Sequence, residues 1–423
     1  MPTSERALAK DALPSVSTLR KRTRKNYTYE NLVNLASGLR RQGSFETAVG
    51  VLGQALLIAP ESPAAWHNLG QVFSDLGDFR RVPQCCQKAL ECHEKLKTPP
   101  GMVQETLLAF AYSLMRLGQF ETVWPLWEAA RYGTSWHSFP NLPAWRGEPE
   151  ARLLIVPEGG FGDGFNFLRW LPALQQWDLL LWPPLCELAE RAIRQSVPKH
   201  VPILGEPQHT IFPMSHAFEP HELARYTHCT SIMSLIAYSG MTDWKDIPIP
   251  LDWAPPSRPD RQLEKAIGFC WRAEENGVQR QNRSLDDATA DAIGKFIARH
   301  GLKVISLVPE KQSLHRERPL RTPRQVVQDE TLLAGWTATA QTIQQCQAVV
   351  TVDTAVCHLA ASLDIPTLVL LPRRSDWKWG LPEDVLPRWY RTLSAHRNES
   401  AKGWDVSGIL QAVGGLLQAS TRA

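Results

Sequence analysis

The sequence predicts an array of antiparallel helix pairs followed by two successive Rossmann-like α/β units. Three observations carry this. A Gly-x-Phe element recurs near the N-terminus, the pattern changes abruptly to strand, glycine loop and helix after residue 150, and a Pro-rich break at Trp253–Pro259 precedes a second run of strands and helices.

Bulk properties allow this organisation and exclude several function classes. A chain of 423 residues has room for about three compact units. With 43% hydrophobic and 21% charged residues it can bury a sizeable core, which excludes general disorder. The net charge of +3 (46 Lys+Arg against 43 Asp+Glu) is too small to make nucleic acid the expected partner. Eight cysteines occur without a CxxC pair or zinc-chelating His spacing, and read as reduced thiols. Residues 1–11 show no apolar signal core, and no stretch supplies the roughly 20 apolar residues that a membrane span needs. The expected location is the cytoplasm, with no transmembrane segment.

Residues 1–28 are expected to be a flexible tail. Its basic run Arg20–Lys25 is either solvated or in touch with a membrane or an acidic partner. Residues 29–132 are expected to hold three helix pairs. Gly43 and Gly77 are 34 residues apart, the period of tetratricopeptide (TPR) repeats. In that register Leu32 pairs with Trp66, Leu35 with Leu69, Ala36 with Gly70, Leu39 with Phe73, Leu52 with Cys86 and Ala55 with Ala89. This alternation of small and large residues suits two closely packed helices. Gly118-Gln-Phe120 anchors a third copy, displaced by an insertion at Lys95–Gly101.

Residues 133–255 and 256–423 are expected to be the two Rossmann-like domains, the second closing with a helix. Leu153–Val156 reads as a buried strand, Glu158–Asp163 as a loop and Phe165–Leu174 as a helix. Later strands are expected at Ile267–Trp271, Val304–Val308, Ala348–Val352 and Thr367–Leu371, with a helix at Ala288–Ala298. In such sheets ligands sit beyond the carboxyl ends of the strands, so the site is expected in the cleft between the halves.

The most informative run is Val349–Leu371. There Asp353-Thr354-Ala355 follows a strand and opens a helix, offering backbone N–H groups and a hydroxyl to a diphosphate. The run resembles the D-T-G/A-x-x-H-L-A-A segment of heptosyltransferase-like glycosyltransferases, a bacterial-type family. Glu158–Pro172, with Gly160, Gly162 and Asp163, is similar to that family's G-x-G-D loop. Ser375-Asp-Trp-Lys-Trp379 and Trp389-Tyr390 resemble the D-W-R-W and W-Y signatures of its TPR-bearing branch, and Trp145-Arg-Gly147 and Arg283-Ser284 fit the same branch.

The resemblance implies an inverting, metal-independent transfer from a nucleotide-sugar on a GT-B architecture. Asp163 matches the catalytic aspartate and would be the general base, its alternative being a helix N-cap. Gly160 and Gly162 either let the loop approach substrate or simply turn it. Arg283 corresponds to a phosphate-neutralising position or is a solvent-exposed arginine. Asp353 either touches the donor or orients its loop, with Thr354 and Ala355 beside it, and His358 either contacts ligand or packs. Asp376, Trp377 and Trp379 wall the nucleotide pocket or belong to the core. Lys311 and the basic run His315–Arg324 are surface charge or contacts to anionic groups. Ser306–Lys311 departs from the branch's S-L-Q-K.

The expected function is therefore sugar transfer from a nucleotide-sugar to a protein, glycan or lipid-linked acceptor docked by the repeats, with no cofactor and no metal. The alternative is a catalytically degenerate scaffold that keeps the transferase fold. A dinucleotide oxidoreductase fits poorly, because Gly159–Gly164 lacks the G-x-G-x-x-G spacing.

Overall fold

The computed structural model describes residues 14–131, 139, 141–196, 209–256, 260, 263, 265–273, 283–309, 321–381, 383, 389–400 and 403–420. Lys311, residues 315–320 of the basic run and residues 1–13 of the tail lie outside them. The chain divides into two compact units, residues 1–113 and 114–423.

The first unit is helical: α1 Val16–Lys25, α2 Tyr29–Arg41, α3 Phe45–Ile58, α4 Pro63–Leu76, α5 Val82–Lys95 and the greater part of α6 Pro100–Arg116. The expectation of a flexible tail up to residue 28 is corrected by α1. Ser15 caps it by accepting from the Thr18 N–H, and Val16, Leu19 and Thr23 make one buried stripe while the basic residues face outward. Gly38 of α2 admits Leu19, because an added Cβ there would stand 2.7 Å from Leu19 Cδ1.

The repeat glycines have one backbone role in common. Gly43, Gly77 and Gly118 have φ of 76°, 78° and 73°, and in each case the next residue's N–H returns to a carbonyl one turn back (Ser44 to Leu39, Asp78 to Phe73, Gln119 to Leu114). This left-handed helix stop is what glycine supplies without a steric cost. Between the helices, Ala36, Leu52, Ala55 and Ala89 are fully buried, and Gly70 lets Cys85 approach.

The boundary expected near residue 132 moves. It falls within α6, and the helix α7 Phe120–Arg131 belongs to the second unit. The reason lies in its side chains: Phe120 packs edge-on against Trp244, Trp124 donates to the Met241 carbonyl, and Arg131 reaches Glu158, Ser231 and Ser234.

The α/β part contains two all-parallel sheets. The first, ordered β3-β2-β1-β4, is built from β1 Arg152–Val156, β2 Gln176–Leu181, β3 Ile211–Pro213 and β4 His228–Ser231. The second, ordered β10-β9-β8-β5-β6-β7, uses β5 Ile267–Cys270, β6 Val304–Ser306, β7 Val326–Val327, β8 Ala348–Val352, β9 Thr367–Leu371 and β10 Leu393–Arg397. Strands such as Leu153–Val156 and Ala348–Val352 are buried on both faces, as parallel strands covered by helices must be. The covering helices are α8 Phe161–Phe167, α9 Pro183–Ser196, α10 Pro220–Leu223, α11 Asp287–Arg299, α12 Trp336–Gln345, α13 Ala355–Ser362 and α14 Val406–Ser420.

In both sheets the order of strands reverses, between β1 and β4 and between β5 and β8. The loops after β1 and β8 leave from these switch points, where ligands bind in doubly wound folds. The helix expected at Phe165–Leu174 begins earlier, at Phe161, and tightens into a 3-10 turn at Leu168–Ala173 containing Pro172. Asp163 therefore lies inside a helix and not in a loop. No described helix is long and apolar enough to cross a membrane.

Candidate active site

Gly160 stands at the N-cap of α8 and Asp163 three residues later. Asp163 Oδ2 accepts from the Gly160 N–H at 2.9 Å, so the aspartate caps from within the first turn and is not itself the N-cap residue. Gly159, at φ 75°, makes room for this carboxylate, since an added Cβ would fall inside it. Gly162 faces the second sheet's helix: a Cβ there would lie 3.1 Å from His358 Cδ2 and 3.3 Å from Ala355 Cα. Gly162 thus brings α8 against the start of α13, and the two candidate segments meet.

At that start, Thr354 occupies the N-cap position of α13 and its hydroxyl makes no capping hydrogen bond. The first N–H groups of α13, including that of Ala355, mark the positive end of the helix dipole. Arg283 Nη1 donates to the Asp353 carbonyl at 3.0 Å, which ties the guanidinium to this loop in place of open solvent. Asp353 is buried, and burial raises its pKa against the lowering pull of Arg283 and Lys378.

His358 is 2% exposed and stacks on Trp379. Its Nδ1 is 3.0 Å from the Tyr390 hydroxyl, which donates to Asn166 Oδ1 of α8 at 3.2 Å. Burial, then the Lys378 charge, pushes its pKa well below the ordinary value, so the imidazole is neutral. Trp377 and Trp379 are buried, and Trp377 packs on Trp389.

A residue that sequence reasoning passed over stands at the centre. Lys378 Nζ lies 2.9 Å from Asp163 Oδ1 and 3.8 Å from Asp376 Oδ1. Although burial opposes charge on both groups, the pair holds the Asp163 pKa below the ordinary value and raises that of Lys378. The signal for it was a basic residue inside the aromatic run Trp377–Trp379.

Glu158, the fallback candidate for the base should Asp163 not serve, leaves the end of β1 and is bound by Arg131, which also holds Glu128 and the Ser231 and Ser234 hydroxyls. Arg131 is 3% exposed. It pins the base of the loop that leads to Asp163.

Among the described residues, Asp353, Cys357 and His358 bring potential metal-ligating atoms within 4.8 Å of one another. The Lys378 and Arg283 cations act on the same groups and oppose a further positive ion there.

Two Rossmann-like sheets bring a carboxylate, cations and a helix N-terminus together near their switch points, in the two-lobed arrangement of GT-B-like folds. Residues 210–387 match the family model described as Glycosyltransferase family 9 (heptosyltransferase), so the chain carries a nucleotide-sugar glycosyltransferase domain of heptosyl type. No curated protein matched the sequence.

Among solved structures, E. coli ADP-heptose lipopolysaccharide heptosyltransferase II is 15% identical, with 64% of this chain and 99% of that one covered and a TM-score of 0.42. The dodecameric iron-containing heptosyltransferase TibC, from enterotoxigenic E. coli, is 10% identical, with 66% and 78% covered and a TM-score of 0.43. A Thermobaculum terrenum O-GlcNAc transferase is 14% identical, with 96% and 87% covered and a TM-score of 0.31.

Proposed function

We propose that the protein transfers a sugar, with inversion and without a metal ion, from a nucleoside-diphosphate sugar to a hydroxyl of a protein, glycan or lipid-linked acceptor that the repeats present. The observation that carries this reading is the meeting of the first turn of α8, which carries Asp163, with the α13 N-terminus at Gly162 and Ala355. A carboxylate there is placed to take the acceptor's proton. The α13 N–H groups and Arg283 supply positive charge to the leaving diphosphate, the service a metal ion performs elsewhere.

A second reading, a binding scaffold without turnover, draws on one observation: the Asp163 carboxylate is neutralised by Lys378. Calorimetric titration with ADP, UDP, GDP and their sugar conjugates in EDTA, followed by an assay for released nucleoside diphosphate, tests both. Binding in chelator with turnover supports transfer, and binding with no turnover for any acceptor class supports the scaffold. Binding that vanishes in EDTA and returns with a divalent metal overturns the metal-independent reading.

A further inference from the structure

We propose that Lys378 is the cation that receives the donor's diphosphate, and that it does so by leaving Asp163, so that donor binding itself releases the base. The inference rests on reading Asp163 and α13 as the transfer site.

Both oxygens of the Asp163 carboxylate are engaged: Oδ2 accepts from the Gly160 N–H and Oδ1 from Lys378, each at 2.9 Å. These two bonds leave further lone pairs on the carboxylate, but the ammonium beside it lowers the proton affinity that a base needs. Departure of a partner would restore that affinity. Gly160 cannot leave, because it belongs to the same helical turn. Lys378 can, because its ammonium ends a flexible four-carbon stem.

The backbone beneath that stem is fixed. Asp376 caps the turn by accepting from the Lys378 N–H, the Lys378 carbonyl accepts from Trp389 Nε1, and Arg116 and Arg397 bind Ser375, Gly380 and Trp379. A swing is therefore confined to the side chain, which is buried beside Asp163 and Asp376. Asp163 neighbours Gly162, and Gly162 abuts the Ala355 N–H, so an ammonium leaving the carboxylate has the α13 N-terminus close at hand. A diphosphate seated there presents more negative charge than one carboxylate and competes for the lysine.

In the transfer step the bond from the anomeric carbon to the phosphate oxygen breaks, and its electron pair stays on the diphosphate beside Lys378. The acceptor oxygen bonds to the anomeric carbon, and its proton passes to the freed Asp163.

The test is calorimetry in EDTA on the full chain, with whichever of ADP, UDP and GDP the wild type binds most tightly and the matching monophosphate in parallel. Lys378→Met is expected to weaken the diphosphate about 10-fold or more and the monophosphate much less. Asp163→Asn, which keeps the side chain's shape and leaves Lys378 without its competitor, is expected to tighten the diphosphate several-fold. A purely structural ion pair gives the opposite sign for the second variant. Unchanged or weakened binding in Asp163→Asn, or wild-type binding in Lys378→Met, overturns the proposal alone. A wild type that binds none of the three diphosphates overturns the reading of the site along with it.

Discussion

Lys378 and Asp163 meet at 2.9 Å between the two sheets, the lysine on the turn that follows β9 and the aspartate in the first turn of α8. Each comes from a different half of the α/β unit. Their contact joins the two halves electrostatically.

Replacing Asp163 by Asn preserves an oxygen able to accept from the Gly160 N–H but removes the proton acceptor. With a nucleotide-sugar and acceptor in hand, kcat is expected to fall roughly 10²- to 10⁴-fold, the range for general-base catalysis. Release of nucleoside diphosphate measures it. Unchanged kcat in a folded Asp163→Asn protein removes the aspartate from the base role.

The buried, neutral His358 predicts an acid limb of stability. Its folded pKa lies below the unfolded value of about 6.5, so below that pH the unfolded chain binds a proton that the folded chain refuses. Stability is then lost as pH falls, by up to about 1.4 kcal/mol per pH unit from this group. Between pH 7.5 and 5.5, His358→Gln is expected to lose about 1 kcal/mol less than wild type in urea denaturation. Identical losses in the two proteins would mean that His358 is charged inside the fold.

Arg131 neutralises Glu158 and Glu128 from a nearly sealed position, and burial already raises the Glu128 pKa. Arg131→Met leaves both carboxylates without their cation and is expected to cost about 3–5 kcal/mol, read as a lowered denaturation midpoint. Arg131→Met combined with Glu158→Gln and Glu128→Gln is expected to recover part of the loss. A single variant as stable as wild type contradicts the role given to this cluster.

Gly77 and Gly53 separate backbone conformation from helix propensity. Gly77→Ala forces an alanine to φ 78° and is expected to destabilise by about 1–2 kcal/mol. Gly53 lies within α3, exposed and with open space around it, so Gly53→Ala is expected to stabilise by about 0.5–1 kcal/mol. Thermal midpoints moving in the same direction would show that the repeat glycine does not carry the turn.

Sequence alone determined the repeat register, the two α/β halves and the segments around Asp163 and Asp353. These are local matters: an apolar run buried on both faces, a glycine where φ must be positive, and a phosphate-type loop between strand and helix are all written in adjacent residues. Tertiary structure decided what those segments meet. That α1 packs on α2 depends on Gly38 lying opposite Leu19, and that α7 joins the α/β unit depends on Arg131 finding Glu158. Lys378 reaches Asp163 from 215 residues away along the chain. A lone lysine among tryptophans has no periodicity and no spacing rule to reveal its partner, because electrostatic pairing acts through distance in space and only the packing of the two sheets sets that distance.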